Sequence, residues 1–461
     1  MSATGVRIAT PPRFRGELVQ PGDPGYDEAR KIYNELVQGS PAVVARCIGA
    51  QDVVAALALA REHDLEVSVR GGGHSIGGWS SNDGGLVVDL TLMRQVWIDS
   101  DARTAWVGGG TRAGDLLVEA DRVGLVAATG AATSIGLAGL TMGLGEAYLT
   151  PRLGYGADHL LAFELVTAAG EVLRVTPDEH PDLFWALRGA GPNFGVVTAM
   201  KLQLHPAPER AVGGSIAFDG ADPGALTREI WRLMEHGSEW FWPMFVYGVD
   251  ESGRPQVTMI PGHTGTAELA ERELDRVCQI APPVDDARRV GSYLDLVFEL
   301  PLRPGRRQWD LLRFPFGGDP ERQMRALLDR FRAEGDDRLT PGRELLLWRS
   351  VAPPPPRAPG VAPRLEGITI MPSSLWLDPA EDAAELGWIE RTVQALRAAG
   401  VVEEAGNAMN HVGVAEEERV RRVYGPESQR RLAELKARYD SDNLFHRNFN
   451  IRPDVGRRPG G

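Results

Sequence analysis

Cysteine is almost missing: Cys47 and Cys278 are the only two in 461 residues, and no Cys-x-x-Cys pair occurs. That argues against a disulfide scaffold and against a cysteine zinc site. Long apolar runs are missing too. No window reaches the ~20 residues that a membrane-spanning helix needs, and Met1 to Gln20 carries scattered arginines and prolines where a signal peptide has an apolar stretch. Positive charge is short as well, 50 Lys and Arg against 63 Asp and Glu, for a net charge of -13. An acidic surface repels nucleic acid and anionic membranes, and no basic run interleaved with aromatics offsets it. A cytoplasmic protein with small-molecule partners, no nucleic acid and no membrane is the expectation. No repeat of fixed period is visible, and the length favours two domains.

Glycine, by contrast, is plentiful and clustered. Val69-Arg70-Gly71-Gly72-Gly73-His74-Ser75-Ile76-Gly77-Gly78 holds five glycines and one histidine directly after the alternating run Leu65–Val69. Glycines accept positive φ and let consecutive N–H groups turn to one side, which makes a concave anion site. Three glycines followed by histidine exceed what a turn requires, so the loop reads as a ligand loop. The dinucleotide fingerprint Gly-x-Gly-x-x-Gly between a strand and its helix is absent, which disfavours nicotinamide binding in a Rossmann unit.

In chain order, helical spacing runs over residues 27–37, 51–62 and 113–122, and strands are expected at 41–47, 66–70, 85–90 and 104–108. A second glycine stretch, 128–148, shows neither helical nor alternating periodicity, as expected of backbone wrapped round a cofactor. Residues 161–167 and 171–175 flank Ala168-Ala-Gly170 as a hairpin, 181–188 is a short helix, and a strand runs on to Leu204. After Pro206 the glycine loops thin out. Strands at 256–260 and 367–371 mix with helices at 267–280, 321–333 and 379–399, a second, α+β domain. The tail has helices at 416–424 and 426–439 and closes on Tyr439-Asp-Ser-Asp-Asn443-Leu-Phe-His-Arg-Asn448-Phe-Asn450-Ile451.

Five motifs in this order, Arg70-Gly-Gly-Gly-His74-Ser, the glycine stretch 136–148, Asp182-Leu-Phe-Trp185-Ala-Leu-Arg188-Gly, Asn193-Phe-Gly-Val-Val-Thr198 and the closing segment, resemble the FAD-linked oxidases of the berberine-bridge-enzyme and 6-hydroxynicotine-oxidase type, which have the vanillyl-alcohol-oxidase fold. The resemblance implies an α+β protein: a two-part FAD-binding domain (1–205 and the returning segment 406–461) and an inserted α+β substrate domain (206–405) on an antiparallel sheet. It implies FAD bonded through the ring of His74 to the flavin 8α carbon. The cofactor-binding residues it implies are Val69, Arg70, Gly71, Gly72, Gly73, His74, Ser75 and Gly78 in the first loop. In the second stretch they are Gly130, Ala131, Thr133, Gly136, Gly139, Leu140, Gly143, Ala147 and Tyr148. Gly195, Val196, Asn410, Asn448 and Asn450 complete the set.

Many members bond the flavin a second time through a cysteine in the second loop. Ala132 holds that position here, so one covalent bond, through His74 alone, is expected. An active-site tyrosine of the family is replaced by Ala408 and a nearby aromatic by His411, which leaves His411 as the candidate catalytic base. Tyr293, Arg349 and Trp376 are candidates for the substrate pocket, with Trp242 beside them, and no metal site is expected. The implied reaction is oxidation of a small organic substrate, a secondary metabolite, by hydride transfer to the flavin, with O2 reduced to H2O2. A flavin-dependent oxygenase or dehydrogenase, or a metabolite-binding protein without catalysis, stays open, as does a homodimer.

Overall fold

The computed structural model describes residues 7–297, 305–355, 359–404 and 417–454. Three sheets carry the architecture. The first orders the strands Glu17–Val19, Val43–Arg46, Leu86–Asp89 and Val67–Arg70. The last three run parallel, and Leu86–Asp89 is buried at every residue. A parallel strand covered on both faces is apolar wherever no partner meets a charge, which is why Leu86-Val87-Val88 reads as a run and not an alternation before Asp89, whose carboxylate pairs with Arg70. The helix Ala50–Glu62 covers this sheet with Val53, Ala56, Leu57 and Ala60.

The second sheet is antiparallel, in the order Val96–Asp99, Thr104–Gly108, Val196–Gln203, Leu160–Val166, Val172–Val175. The third is the large antiparallel sheet of the inserted domain, whose centre is formed by Met244–Val249, Arg343–Ser350 and Gly367–Trp376. Its two faces differ. Leu345, Leu347, Ile368 and Ile370 pack under the helices Gly224–His236, Pro320–Phe331 and Asp382–Ala398. Leu346, Trp348 and Met371, one residue out of phase, join the core of the FAD-binding domain. Period-two alternation therefore turns one face of this sheet toward the glycine loops.

Two segments depart from the sequence reading. Residues 27–37 break into Tyr26–Ala29 and the short 3-10 turn Glu35–Val37. Between them Tyr33 N–H donates to the Gly73 carbonyl, and Asn34 Nδ2 donates to the carbonyls of Ile76 and Arg307. The 128–148 stretch contains a helix, Leu137–Gly143, of whose seven residues six are buried. A helix buried all round has no polar face, so no periodicity betrays it. The tail keeps the two expected helical segments within Glu417–Tyr439, parted at Gly425, whose φ of +71° and ψ of 164° are not helical. Among the described residues no helix is long and apolar enough to cross a membrane, and no group of three or more His, Cys, Asp or Glu could hold a metal ion.

Candidate functional site

The strand Val67–Arg70 delivers the first glycine loop to the second. A Cβ on Gly72 would stand 2.3 Å from the backbone nitrogen of Gly136, and one on Gly136 would stand 2.3 Å from that of Gly72. The two loops therefore touch backbone to backbone, which no other residue permits. Gly73 and Gly78 add positive φ values of +70° and +72°. Gly72→Ala is expected to cost about 3 kcal/mol, the upper end for overpacking a backbone that cannot yield, and to lower flavin content. Thermal unfolding and the visible flavin absorbance of the purified variant test this.

His74 sits in this contact. Its ring stacks on Tyr33, centroids 4.5 Å apart, and the Arg307 guanidinium lies 3.8 Å over the other ring of that stack. Burial, then the positive charges of Arg112 and Arg307, push the imidazole down to about 4. The ring is thus neutral at pH 7. It makes a backbone hydrogen bond at Ser134, while Nε2 is buried with no partner. A buried, unpaired imidazole nitrogen is costly unless something else meets it.

The cation of Arg70 is already matched, Nη2 lying 2.7 Å from the buried carboxylate of Asp89. Its Nη1 donates to the Lys31 carbonyl, and its Nε is left without a partner. Ser75 Oγ accepts from Trp79 N–H. Across the site, Gly195 (φ +157°) leads into the strand Val196–Gln203. The side chain of Asn193 ties that turn to the tail, accepting from Ile451 N–H and donating to the Phe449 carbonyl. Asn448 donates to the Pro192 and Phe445 carbonyls. The Oδ1 atoms of Asn448 and Asn450 are buried and unpartnered.

Next along the second loop, Leu140 lies in the helix Leu137–Gly143, against the position a Gly130 Cβ would fill. Ala147 N–H donates to Thr150 Oγ1. Tyr148, fully buried, has no partner for its hydroxyl. Ala132 is buried. Cys47 belongs to the core of the parallel sheet, its thiol pushed up by burial, and Cys278 packs on the core of the inserted domain.

The expected pocket residues separate. Tyr293 joins the FAD-domain core that also holds Tyr148, its hydroxyl buried and unpartnered. Arg349 and Trp376 lie on the helix-covered phase of the sheet. Arg349 Nη1 donates to the carbonyls of Gly237 and Ser238, and the Trp376 indole N–H donates to Asp382. Asn410 and His411 lie outside the described residues.

One residue escaped sequence reading. Glu146, inside the second glycine stretch, accepts hydrogen bonds at Oε2 from Trp348 Nε1 (3.0 Å) and Ser350 Oγ (3.3 Å), both on the phase of the inserted sheet that faces the loops. Its Oε1 is shut off from solvent without a partner. Burial pushes its carboxyl up to about 7, against the opposing effect of those two hydrogen bonds and of Arg313. The available signal was a lone carboxylate among glycines and apolar residues, where a charge has no reason to be unless it is used.

Comparison with known proteins decides the family. Residues 41–176 match an FAD binding domain, and residues 407–452 match the berberine and berberine-like segment. The chain is 33% identical to (R)-6-hydroxynicotine oxidase of Paenarthrobacter nicotinovorans over 468 residues, covering 97% of this chain and 99% of that one. The chain belongs to the berberine-bridge-enzyme-like, FAD-linked oxidoreductases. The crystal structure of 6-hydroxy-D-nicotine oxidase from Arthrobacter nicotinovorans superposes with a TM-score of 0.89 at 32% identity, covering 96% of this chain and 99% of that one. Glucooligosaccharide oxidase from Acremonium strictum, which has a 6-S-cysteinyl, 8α-N1-histidyl FAD, shares the fold at a TM-score of 0.81 and 18% identity, over 95% of this chain and 97% of that one. The protein is an FAD-linked oxidase acting on a small organic substrate, with an FAD-binding domain and an inserted antiparallel-sheet substrate domain. Its residues suit the cofactor. The glycine contact leaves bare backbone, and unpartnered buried atoms of Arg70, His74, Asn448 and Asn450 lie on the loops that converge there.

Proposed function

We propose that this oxidase holds FAD by one covalent bond, to the ring of His74, and oxidises a carbon bearing OH or NH in a small secondary metabolite. The observation that carries the reading is the neutral, buried His74 ring with Nε2 unpaired in the contact of two glycine loops. A neutral imidazole keeps a lone pair for an electrophilic carbon, and a protonated one does not. A single bond follows from Ala132 in the second loop and from both cysteines lying in other cores.

FAD, when bound, accepts the hydride and passes two electrons to O2, giving H2O2. The chain's own part is to bind, orient and exclude water. Tyr33 and Arg307 hold the His74 ring flat from one side. Asn34 ties the first loop to the inserted domain through the Ile76 and Arg307 carbonyls, so the domain that supplies the substrate face is pinned to the loop that carries the cofactor. A boundary between domains is where a pocket of this kind forms.

Anaerobic mixing with candidate substrates, 6-hydroxynicotine among them because of the similarity to its oxidase, tests the reaction. The expected result is bleaching of the flavin, recovery in air and one H2O2 per product. Bleaching followed by slow recovery in air would sink the oxidase step in favour of another electron acceptor, and isotope from labelled O2 in the product would favour an oxygenase.

A further inference from the structure

The strand Pro283–Asp286 ends the large sheet of the inserted domain, paired on one side with Ile216–Asp219. Arg289–Gly291 continues along the same neighbour, paired with Ala211–Gly213. The register holds from Asp285 opposite Ala217 to Gly291 opposite Ala211, with Ala287 N–H donating to the Ser215 carbonyl between them, and shifts by one residue at Val284. Residues 283–291 are thus one edge strand. Among the described residues no strand pairs with its outer side. Val284 and Val290, near its two ends, are 62% and 63% exposed.

An open edge is a template for another strand, and the charges it carries select which one. The order is Val284-Asp285-Asp286-Ala287-Arg288-Arg289-Val290. Read backwards with the signs of charge exchanged, it is the same. Run antiparallel to itself about Ala287, it sets Asp285 against Arg289, Asp286 against Arg288 and Val284 against Val290, each contact made twice. Opposite charges facing across strands attract and like charges repel. A slip of two residues in either direction brings Asp286 or Arg288 opposite its own copy, so the charges also fix the register.

The backbone agrees with that register. Ala287 turns its N–H inward to Ser215, so by period two Asp286, Arg288 and Val290 turn theirs outward. Asp286 and Arg288 of two copies then fall in hydrogen-bonded pairs, and Ala287 faces its own copy in a non-hydrogen-bonded one. In the single chain the outward N–H of Arg288 is met by Asp286 Oδ1 at 3.1 Å, and its guanidinium by Asp286 at 2.7 Å and Asp275 at 3.5 Å. The side chains of Asp285 and Arg289 make no hydrogen bond or ion pair among the described residues, Arg289 acting only at longer range on Asp295.

We propose that the protein forms a two-fold symmetric homodimer by antiparallel pairing of this edge with that of a second copy, the axis passing at Ala287. A two-fold interface uses the same patch on both subunits, which a self-complementary strand supplies. The contact is small beside the ~1,200–2,000 Å² of a stable interface, so the dimer belongs to the weak class, with a Kd of about 10 μM. It does not depend on the oxidase reading: none of these residues lies in the glycine loops, and every measurement below is made without turnover.

Sedimentation velocity of the flavin-loaded protein from about 1 to 100 μM should show a monomer passing into a dimer. The dimer should be lost in about 1 M salt, where the Debye length falls to about 3 Å. Arg288→Asp with Arg289→Asp, and separately Asp285→Arg with Asp286→Arg, should each weaken it by about 30-fold or more, four attractive cross-strand pairs becoming repulsive. An equimolar mixture of the two variants should restore it, because all four pairs are then opposite in sign. In a Cys278→Ala background, Ala287→Cys should form a disulfide-linked dimer under mild oxidation. Facing Cα atoms of a non-hydrogen-bonded pair are about 4.5 Å apart, within reach of a disulfide. Asp285→Cys in the same background should not cross-link, since Arg289 stands opposite it.

A wild type that stays monomeric at every concentration would show that the charges guard the edge from other strands, and would overturn the proposal. Undiminished dimerisation of the charge-reversed variants, no recovery on mixing, or equal cross-linking at positions 285 and 287 would each do the same. Should a reversal variant fail to fold, Ala287→Cys, which keeps all four charges, decides alone.

Discussion

His74→Ala is expected to release all of its flavin on acid denaturation, while wild type stays yellow and carries an FAD-sized mass increment. The reason lies in the imidazole's surroundings. Burial, Arg112 and Arg307 hold the ring near a pKa of 4, so at neutral pH practically every molecule presents an unprotonated ring. Below the folded pKa the lone pair takes a proton and attack stops. Flavinylation of apoprotein, followed by intact mass, should therefore proceed at a constant rate from about pH 8 to pH 5 and fall off as pH drops through about 4. Steady-state turnover of non-covalently loaded His74→Ala should fall about tenfold or more, equivalent to about 1.4 kcal/mol in the barrier. Free FAD released from denatured wild type would mean a non-covalent flavoprotein, and an absence of flavin would favour a binding protein.

Lys436→Met should give the largest loss of stability among single changes to the tail. The Lys436 and Asp440 side chains are fully buried. Nζ donates to Asp440 Oδ2 at 2.7 Å, to the Asn193 carbonyl at 2.7 Å and to the Phe445 carbonyl at 2.9 Å. Methionine fills nearly the same space but leaves the Asp440 carboxylate buried without its cation, which costs about 3–5 kcal/mol. Asp440 still accepts from Leu444 and Phe445 N–H, so the double change Lys436→Met with Asp440→Asn should recover part of the loss. Urea unfolding at constant m-value measures it. Because the same ammonium ties the turn at Asn193 to the segment carrying Asn448 and Asn450, flavin retention should fall with it. An unchanged midpoint would show that the tail is held by apolar packing of Leu432, Leu435 and Phe449 alone.

Much of the frame was legible because it is local. The helices at 51–62 and 267–280 and the strands at 67–70, 104–108 and 196–203 lie within a residue or so of where spacing and turn residues put them. Failures came where tertiary contacts overrode local preference. Tyr33 and Asn34 gave up a helical turn to serve the His74 ring and the Ile76 carbonyl. The helix Leu137–Gly143 was invisible because burial on all sides erases its pattern. Among the pocket residues, Tyr293 lies with Tyr148, whereas Arg349 and Trp376 occupy the helix-covered phase of their strands. A type-and-region argument cannot tell the two phases apart, since one residue of register exchanges them.

The sequence by itself determined the family, the cofactor class and the two glycine loops. Those depend on residue types at short spacing, glycines that bare backbone must have and a histidine beside them. Only the tertiary structure decided which polar groups are left without partners. Burial and pairing depend on chain segments hundreds of residues apart, as when Trp348 and Ser350 of the inserted sheet hydrogen-bond Glu146 while burial pushes its carboxyl up to about 7.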